Sequence, residues 1–264
     1  MTRRFLISYL FFGLLINTAS ALADEQLHIA VASNFKQTQE VLAALFKDQY
    51  LAENPHSKLK VINSSGSSGT LFAQIQSGAP YDVFLSADEQ RPDTLITLGL
   101  AKKTNRSVYA QGQIALWQPA AKEAFDIHFM KNYAEAYVLA NPKLAPYGAA
   151  SKALMEKAGI WHTKDRSRIL AHNIATAFQY LASGSVKIGW VAVSQLKNWE
   201  QRKKVPKHSY WLAPVNDYPP IKQVAVQLKQ SKNPALAEQY VEFLSTMKAQ
   251  NLIKSFGYLT QVEL

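Results

Sequence analysis

The chain has 264 residues, no cysteine and a formal net charge of +10 at pH 7, from 29 Lys and Arg against 19 Asp and Glu. Hydrophobic residues make up 48% and charged residues 18%, which is typical of a folded globular protein with one large or two smaller domains. The missing cysteines exclude a disulfide framework, a cysteine–metal site, a thiol nucleophile and a lipid-modified cysteine anchor, whereas the positive charge favours an acidic partner without identifying it.

Residues 1–23 have the pattern of a secretory signal peptide. Arg3 and Arg4 precede an apolar run over residues 5–16, and Ala21-Leu22-Ala23 has the small-x-small spacing of a cleavage site. Because that run is shorter than the roughly 20 residues of a membrane span, we predict export with cleavage after about Ala23. Export argues against a nucleic-acid partner, and so does the scatter of the basic residues along the chain.

Strand and helix patterns alternate through most of the remaining sequence. The predicted strands cover residues 27–32, 58–62, 81–85, 114–117, 136–139, 186–191 and 224–228. The predicted helices cover residues 35–50, 70–76, 89–98, 149–157, 175–182, 234–244 and 249–256. Strands separated by helices predict an α/β fold with a mainly parallel sheet. A proline-marked break at Tyr218-Pro219-Pro220, followed by a helical tail, indicates two lobes joined by chain crossovers.

Four short segments of small or polar residues lead straight into predicted helices. They are Ala32-Ser33-Asn34, Ser67-Ser68-Gly69, Ala145-Pro146-Tyr147-Gly148 and His172-Asn173-Ile174. Helix N-termini present unpaired N–H groups and the positive end of the helix dipole, so they bind anions without cationic side chains. None of the four segments contains Asp, Glu, Lys or Arg, and a site of neutral donors suits a fully deprotonated tetrahedral dianion. Ordinary helix capping is the alternative interpretation of each segment taken singly.

No sequence motif marks an enzyme. The chain lacks G-x-S-x-G, the P-loop pattern and G-x-G-x-x-G, and none of its six histidines pair at the i, i+4 spacing of a helical metal site. A secreted hydrolase using Ser68 or Ser33 stays open as an alternative, and it would need His28 or His172 within hydrogen-bond reach of the serine.

The sequence resembles the periplasmic molybdate-binding proteins that serve ABC transporters, from about residue 27 to residue 258. The matching blocks are AVASNF at 30–35, SSGTL at 67–71, QIQSGAPYDVFLSAD at 74–88, ANPK at 140–143, APYG at 145–148, NIATAFQ at 173–179, IGWVAVSQ at 188–195 and FGY at 256–258. The block at 74–88 is specific, whereas the short serine stretches are not specific alone.

The resemblance implies the type II periplasmic-binding fold, with two lobes, each a mainly parallel sheet flanked by helices, and the ligand in the cleft between them. On this basis we expect residues 26–107 and 219–264 in the first lobe and residues 108–218 in the second. The crossovers would then fall near Ser107 and Tyr218. The resemblance also implies a periplasmic monomer that delivers its ligand to an inner-membrane ABC permease.

The ligand implied by the resemblance is molybdate or tungstate, bound as the oxyanion with no cofactor and no direct metal ligand. Carried over by motif, the oxyanion-binding residues are Ser33, Asn34, Ser68, Tyr147 and Ile174. Some family members have a ligand tyrosine at the position of Ala192, so we expect the Tyr147 hydroxyl or the Asn34 amide to supply that contact. Another tetrahedral oxyanion, such as sulfate or phosphate, is the alternative ligand.

Overall fold

A computed structural model describes residues 23–162 and 167–260. The predicted signal peptide therefore lies, apart from Ala23, outside the described residues. The strands are β1 (Ala23–Ala32), β2 (Ser57–Gly66), β3 (Val83–Ser86), β4 (Ser107–Gly112), β5 (Ile114–Trp117), β6 (Tyr137–Ala140), β7 (Arg168–Ala171), β8 (Gly189–Ala192), β9 (Tyr210–Leu212) and β10 (Ile221–Gln227). The α-helices are α1 (Lys36–Glu53), α2 (Ser68–Gln76), α3 (Gln90–Thr97), α4 (Phe129–Asn132), α5 (Pro146–Lys157), α6 (Ile174–Ala182), α7 (Val193–Glu200), α8 (Pro234–Phe243) and α9 (Met247–Ser255).

The strands form two five-stranded sheets, one in each lobe. The order is β2-β1-β3-β10-β4 in the first sheet and β7-β6-β8-β5-β9 in the second. In each sheet two strand pairs are parallel and two are antiparallel, because one strand, β10 or β5, runs against the other four. The predicted two-lobed α/β architecture is thus confirmed, and the sheets are mixed.

Helices cover both faces of the first sheet. Successive strand residues point to opposite faces, so neighbouring residues pack against different helices. Val31 and Leu85 belong to a buried cluster with α1, α8 and α9, whereas their neighbours Ala30 and Phe84 belong to a second cluster with α2 and α3. These strands are buried on both faces, which explains their nearly continuous apolar sequences.

The second lobe has one buried cluster, which includes the fully buried side chain of Trp190. This cluster also contains Ala32, Ala87 and Ile221 from the first lobe, so apolar packing continues across the interface between the lobes. Within the described residues, no helix combines the length and the apolar character needed to cross a membrane.

The expected crossover near Ser107 needs correction. Strand β4 pairs with β10 in the first sheet, so residues 108–112 lie in the first lobe and not in the second. The chain enters the second sheet at Ile114 and leaves it after Leu212, and Ile221 begins the return strand. The sequence did not reveal this boundary because β4 was not predicted and its pairing partner is more than 100 residues away.

Candidate functional site

The four predicted segments lie where parallel strands end and helices begin. Ser33 and Asn34 follow β1, and Ser68 follows β2 as the first residue of α2. In the second lobe Tyr147 lies in the first turn of α5, after β6, and Ile174 is the first residue of α6, after β7. All five residues are buried. Two junctions from each lobe therefore supply the candidate site, at the sheet edges where α/β proteins bind ligands.

Three hydrogen bonds join the first-lobe junctions to the second lobe. The Gly69 N–H, at the start of α2, donates to the Leu144 carbonyl oxygen over 2.9 Å. The Asn34 amide nitrogen lies 3.2 Å from the Tyr147 hydroxyl oxygen, and the Ser194 hydroxyl donates to the Asn34 carbonyl oxygen over 3.3 Å. The lobes are therefore in contact at the candidate site.

The Asn34 amide nitrogen is surrounded by protein acceptors. It lies 2.9 Å from the Gln223 side-chain oxygen and 3.1 Å from the Tyr258 hydroxyl, besides the Tyr147 hydroxyl. Gln223 is oriented by its own amide, which donates to the Ile221 carbonyl over 3.0 Å. An amide NH₂ has two hydrogens and here faces three acceptors, so its donors are engaged within the protein.

Gln223, Tyr258 and Ser194 are not among the site residues predicted from the sequence. Each is buried, and each touches Asn34 from a part of the chain more than 150 residues away. The FGY block at residues 256–258 was a signal for Tyr258, because an aromatic hydroxyl in a buried tail needs a polar partner.

The two serine hydroxyls differ in their partners. The Ser68 hydroxyl oxygen accepts a hydrogen bond from the Ala87 N–H over 2.9 Å, which leaves its own proton for another acceptor. The Ser33 N–H donates to the Gly66 carbonyl over 2.9 Å, and the Ser33 hydroxyl bonds to no other group in the described part of the chain. Ser33 lines a cavity of about 270 Å³ between α1 and helices α6 and α7.

Backbone N–H groups are the remaining candidate donors of the site. The N–H groups of Asn34, Ser68, Tyr147 and Ile174 donate to no acceptor within residues 23–162 and 167–260. The carbonyl oxygen of Ile174 accepts a hydrogen bond from the Gln195 amide over 3.1 Å. Gln195 is itself oriented by the Ala192 N–H, which donates to its side-chain oxygen over 3.0 Å. Unpaired buried N–H groups are costly, so their presence at four strand–helix junctions favours an acceptor-rich ligand.

The polar groups of the site carry no formal charge. Neither the five predicted residues nor the side chains bonded to them include Asp, Glu, Lys or Arg. Burial, reinforced by the neighbouring Tyr258 and Tyr109, raises the pKa of Tyr147 well above its ordinary value. Burial likewise raises the pKa of Tyr258 to about 12, against the lowering effect of hydrogen bonds from Ser194 and Asn34. Both tyrosines are therefore neutral donors at physiological pH.

Other groups considered in the sequence lie elsewhere. Among the described residues neither Ser33 nor Ser68 has a histidine as its hydrogen-bond partner, and His172 is exposed. Asp88 caps the start of α3 by accepting from the Arg91 N–H over 2.8 Å. The described residues contain no group of three or more His, Asp or Glu side chains that could hold a metal ion.

Comparison with known proteins gives consistent results over nearly the whole chain. Residues 27–259 match the family model of the bacterial extracellular solute-binding proteins. The chain is 34% identical to the molybdate-binding protein ModA of Rhodobacter capsulatus over 250 residues, covering 94% of each chain. It is 35% identical to ModA of Azotobacter vinelandii over 248 residues, covering 93% of each. The solved structure of the periplasmic molybdate-binding protein of Azotobacter vinelandii has a TM-score of 0.77 at 33% identity and covers 88% of this chain and 98% of that one.

Proposed function

The chain belongs to the bacterial extracellular solute-binding proteins and to the molybdate-binding group among them, and from this premise we propose that it captures molybdate between its two lobes. The observation that carries the proposal is the set of neutral donors at four strand–helix junctions, two in each lobe, where hydrogen bonds join the lobes. Helix starts with free N–H groups stabilise a dianion without a charged side chain.

We assign the donors as follows. Ser33 and Ser68 contribute hydroxyl groups, and Asn34, Tyr147 and Ile174 contribute backbone N–H groups from the starts of helices. The Asn34 amide is one of the two groups that we expected to replace the tyrosine absent at Ala192, the other being the Tyr147 hydroxyl. We assign this amide to positioning instead, because its nitrogen faces Gln223 and two tyrosine hydroxyls.

We further propose that tungstate binds at the same site, since it has the same charge and tetrahedral shape as molybdate. Sulfate has the same charge and shape but is smaller, so its oxygens would not reach donors from both lobes at once. The size of the closed site, and not the type of donor, would then select the ligand. No acceptor side chain is needed for a fully deprotonated oxyanion.

The proposed transport role extends to the export of the chain, its oligomeric state and the delivery of its ligand. The chain would be exported to the periplasm with cleavage after about Ala23, would act there as a monomer, and would deliver its ligand to an inner-membrane ABC permease. The role requires no catalysis by the chain. Mass spectrometry of the protein recovered from the periplasm tests the cleavage, and a product that retains residues 1–23 would contradict it.

The decisive experiment is calorimetric titration of the protein lacking residues 1–23 with molybdate, tungstate, sulfate and phosphate. We expect tight binding of one molybdate per chain, similar binding of tungstate, and much weaker binding of the other two. A bound ligand also raises the thermal midpoint by mass action, which gives an independent measurement. Sulfate binding as tight as that of molybdate would contradict selection by size, and no molybdate binding would contradict the proposed function.

A further inference from the structure

Asn34 joins the two lobes through both its backbone carbonyl and its side chain. Within the first lobe, the Tyr258 hydroxyl donates to the Asn34 carbonyl over 2.9 Å and Gln223 faces the amide nitrogen at 2.9 Å. From the second lobe, Ser194 reaches the same carbonyl over 3.3 Å and Tyr147 reaches the amide at 3.2 Å. All of these side chains are nine-tenths buried or more.

Ser194 is the second-lobe member of this network that has no assigned role. It lies in the first turn of α7, two residues after β8 ends at Ala192, and it is 5% exposed. Its hydroxyl donates to the carbonyl of Asn34, which belongs to the first lobe. A serine has a single hydroxyl proton, and here that proton is directed to the other lobe.

The Ser194 contact exists only while the lobes are together. Separation would leave the Asn34 carbonyl with its Tyr258 hydrogen bond and would return the Ser194 hydroxyl to water. The contact therefore stabilises the closed state relative to the open state, without stabilising either lobe alone. A residue that acts in this way changes the apparent affinity for a ligand by changing the population of the binding-competent state.

We propose that Ser194 is a positioning residue that holds the lobes closed through Asn34 and thereby sets the lifetime of the bound oxyanion. This inference rests on the proposed function and deepens it, since it assigns closure to a side chain outside the set of ligand donors. The Asn34–Tyr147 contact lies beside it, so closure also brings the Tyr147 backbone donor into its place.

The test compares Ser194→Ala with Ser209→Ala as a matched control. Ser209 is fully buried in the second lobe, and its hydroxyl donates to the Pro206 carbonyl over 2.7 Å within that lobe. Both changes remove one buried serine hydroxyl, but only Ser194→Ala removes a contact between lobes. We expect Ser194→Ala to release molybdate about 3- to 10-fold faster, the effect of one net hydrogen bond, and Ser209→Ala to release it at the wild-type rate. Ser194→Gly removes the same hydroxyl and gives a second measurement.

A ligand-independent measurement separates this inference from the proposed function. The chain contains no cysteine, so Lys47→Cys on α1 and Gln201→Cys after α7 place a unique pair of spin labels on the two lobes. In ligand-free protein we expect Ser194→Ala to shift the interlobe distances to longer values than in wild type or Ser209→Ala. Unchanged distances, or unchanged release of molybdate, would overturn the role of Ser194. Failure of the wild type to bind molybdate would overturn the proposed function, and the distances would still decide the role of Ser194.

Discussion

The Tyr147 hydroxyl of the second lobe lies directly against the backbone of Gly112 in the first lobe, and a Cβ atom at residue 112 would overlap it. Gly112 is the last residue of β4, one residue before the chain crosses to the second lobe at Gln113. Its φ is not positive, so glycine is required here for space and not for backbone conformation. The place of Tyr147 in the closed site therefore depends on the absence of a side chain at the crossover.

We predict that Gly112→Ala weakens molybdate binding by roughly 1–3 kcal/mol, the cost of overpacking a well-packed site. The added methyl group displaces the Tyr147 ring from Asn34 when the lobes close. Gly66→Ala is the control, since its Cβ would meet the Leu71 side chain at an ordinary distance of 3.4 Å. Calorimetric titration measures the difference, and equal affinities for the two variants would show that the contact does not matter.

A second prediction concerns Gly69, at the start of α2, where the backbones of the two lobes are in contact. A Cβ at residue 69 would lie 2.9 Å from the Leu144 carbonyl oxygen of the other lobe. Gly69→Ala should raise the stability of the free protein by about 0.5–1 kcal/mol through helix propensity, yet weaken molybdate binding through the clash on closure. Thermal unfolding and titration of the same variant measure the two effects, and changes in the same direction would contradict this account.

Ser68→Ala should weaken oxyanion binding by roughly 1–3 kcal/mol, the value of a hydrogen bond to a charged group. The change also leaves the buried Ala87 N–H without its acceptor, so the free protein should lose some stability. Ser77→Ala, at the exposed end of the same helix, is the matched control. Titration of both variants, corrected for their thermal midpoints, separates the two effects, and unchanged affinity would remove Ser68 from the site.

The buried tyrosines predict how stability depends on pH. The pKa of Tyr258 is raised to about 12, so the folded state holds the phenol proton more tightly than the unfolded state does. The stabilisation is fully present below the ordinary tyrosine pKa of about 10 and is lost as the pH rises from there through about 12. Urea unfolding at pH 8, 10 and 11 should show a loss of stability over the upper interval. In Tyr258→Phe the loss of stability between pH 10 and 11 should be smaller than in the wild type. A loss equal to that of the wild type would assign the pH dependence to other groups.

Local signals predicted much of the site because helix starts are encoded locally. Ser33, Ser68, Tyr147 and Ile174 each lie within a few residues of a junction between a strand and a helix, and short-range patterns reveal such junctions. Their burial and the contacts between lobes follow from the sheet order, which no short stretch of sequence contains. The assignment of these residues to ligand binding stays a prediction.

The surroundings of Asn34 could not be predicted in the same way. The sequence made its amide a candidate ligand donor, whereas the structure surrounds that amide with Gln223, Tyr258 and Tyr147. These residues come from β10, the C-terminal segment and the other lobe, so only the complete fold brings them together. Strand β7 was missed for a related reason. It is an edge strand of four residues, and its apolar stretch from Ile169 to Ala171 is too short to distinguish a strand from other structure.

The central place of β10 in the first sheet has a consequence for the order in which the lobes are built. Strands β5 to β9 are contiguous in sequence, from Ile114 to Leu212, whereas β10 follows them and inserts between β3 and β4. Since a polypeptide is synthesised from its N-terminus, every strand of the second lobe is available before the strand that completes the first. The inserted lobe can therefore mature before its host, and the ability to trap a ligand arises only after β10 has closed the gap.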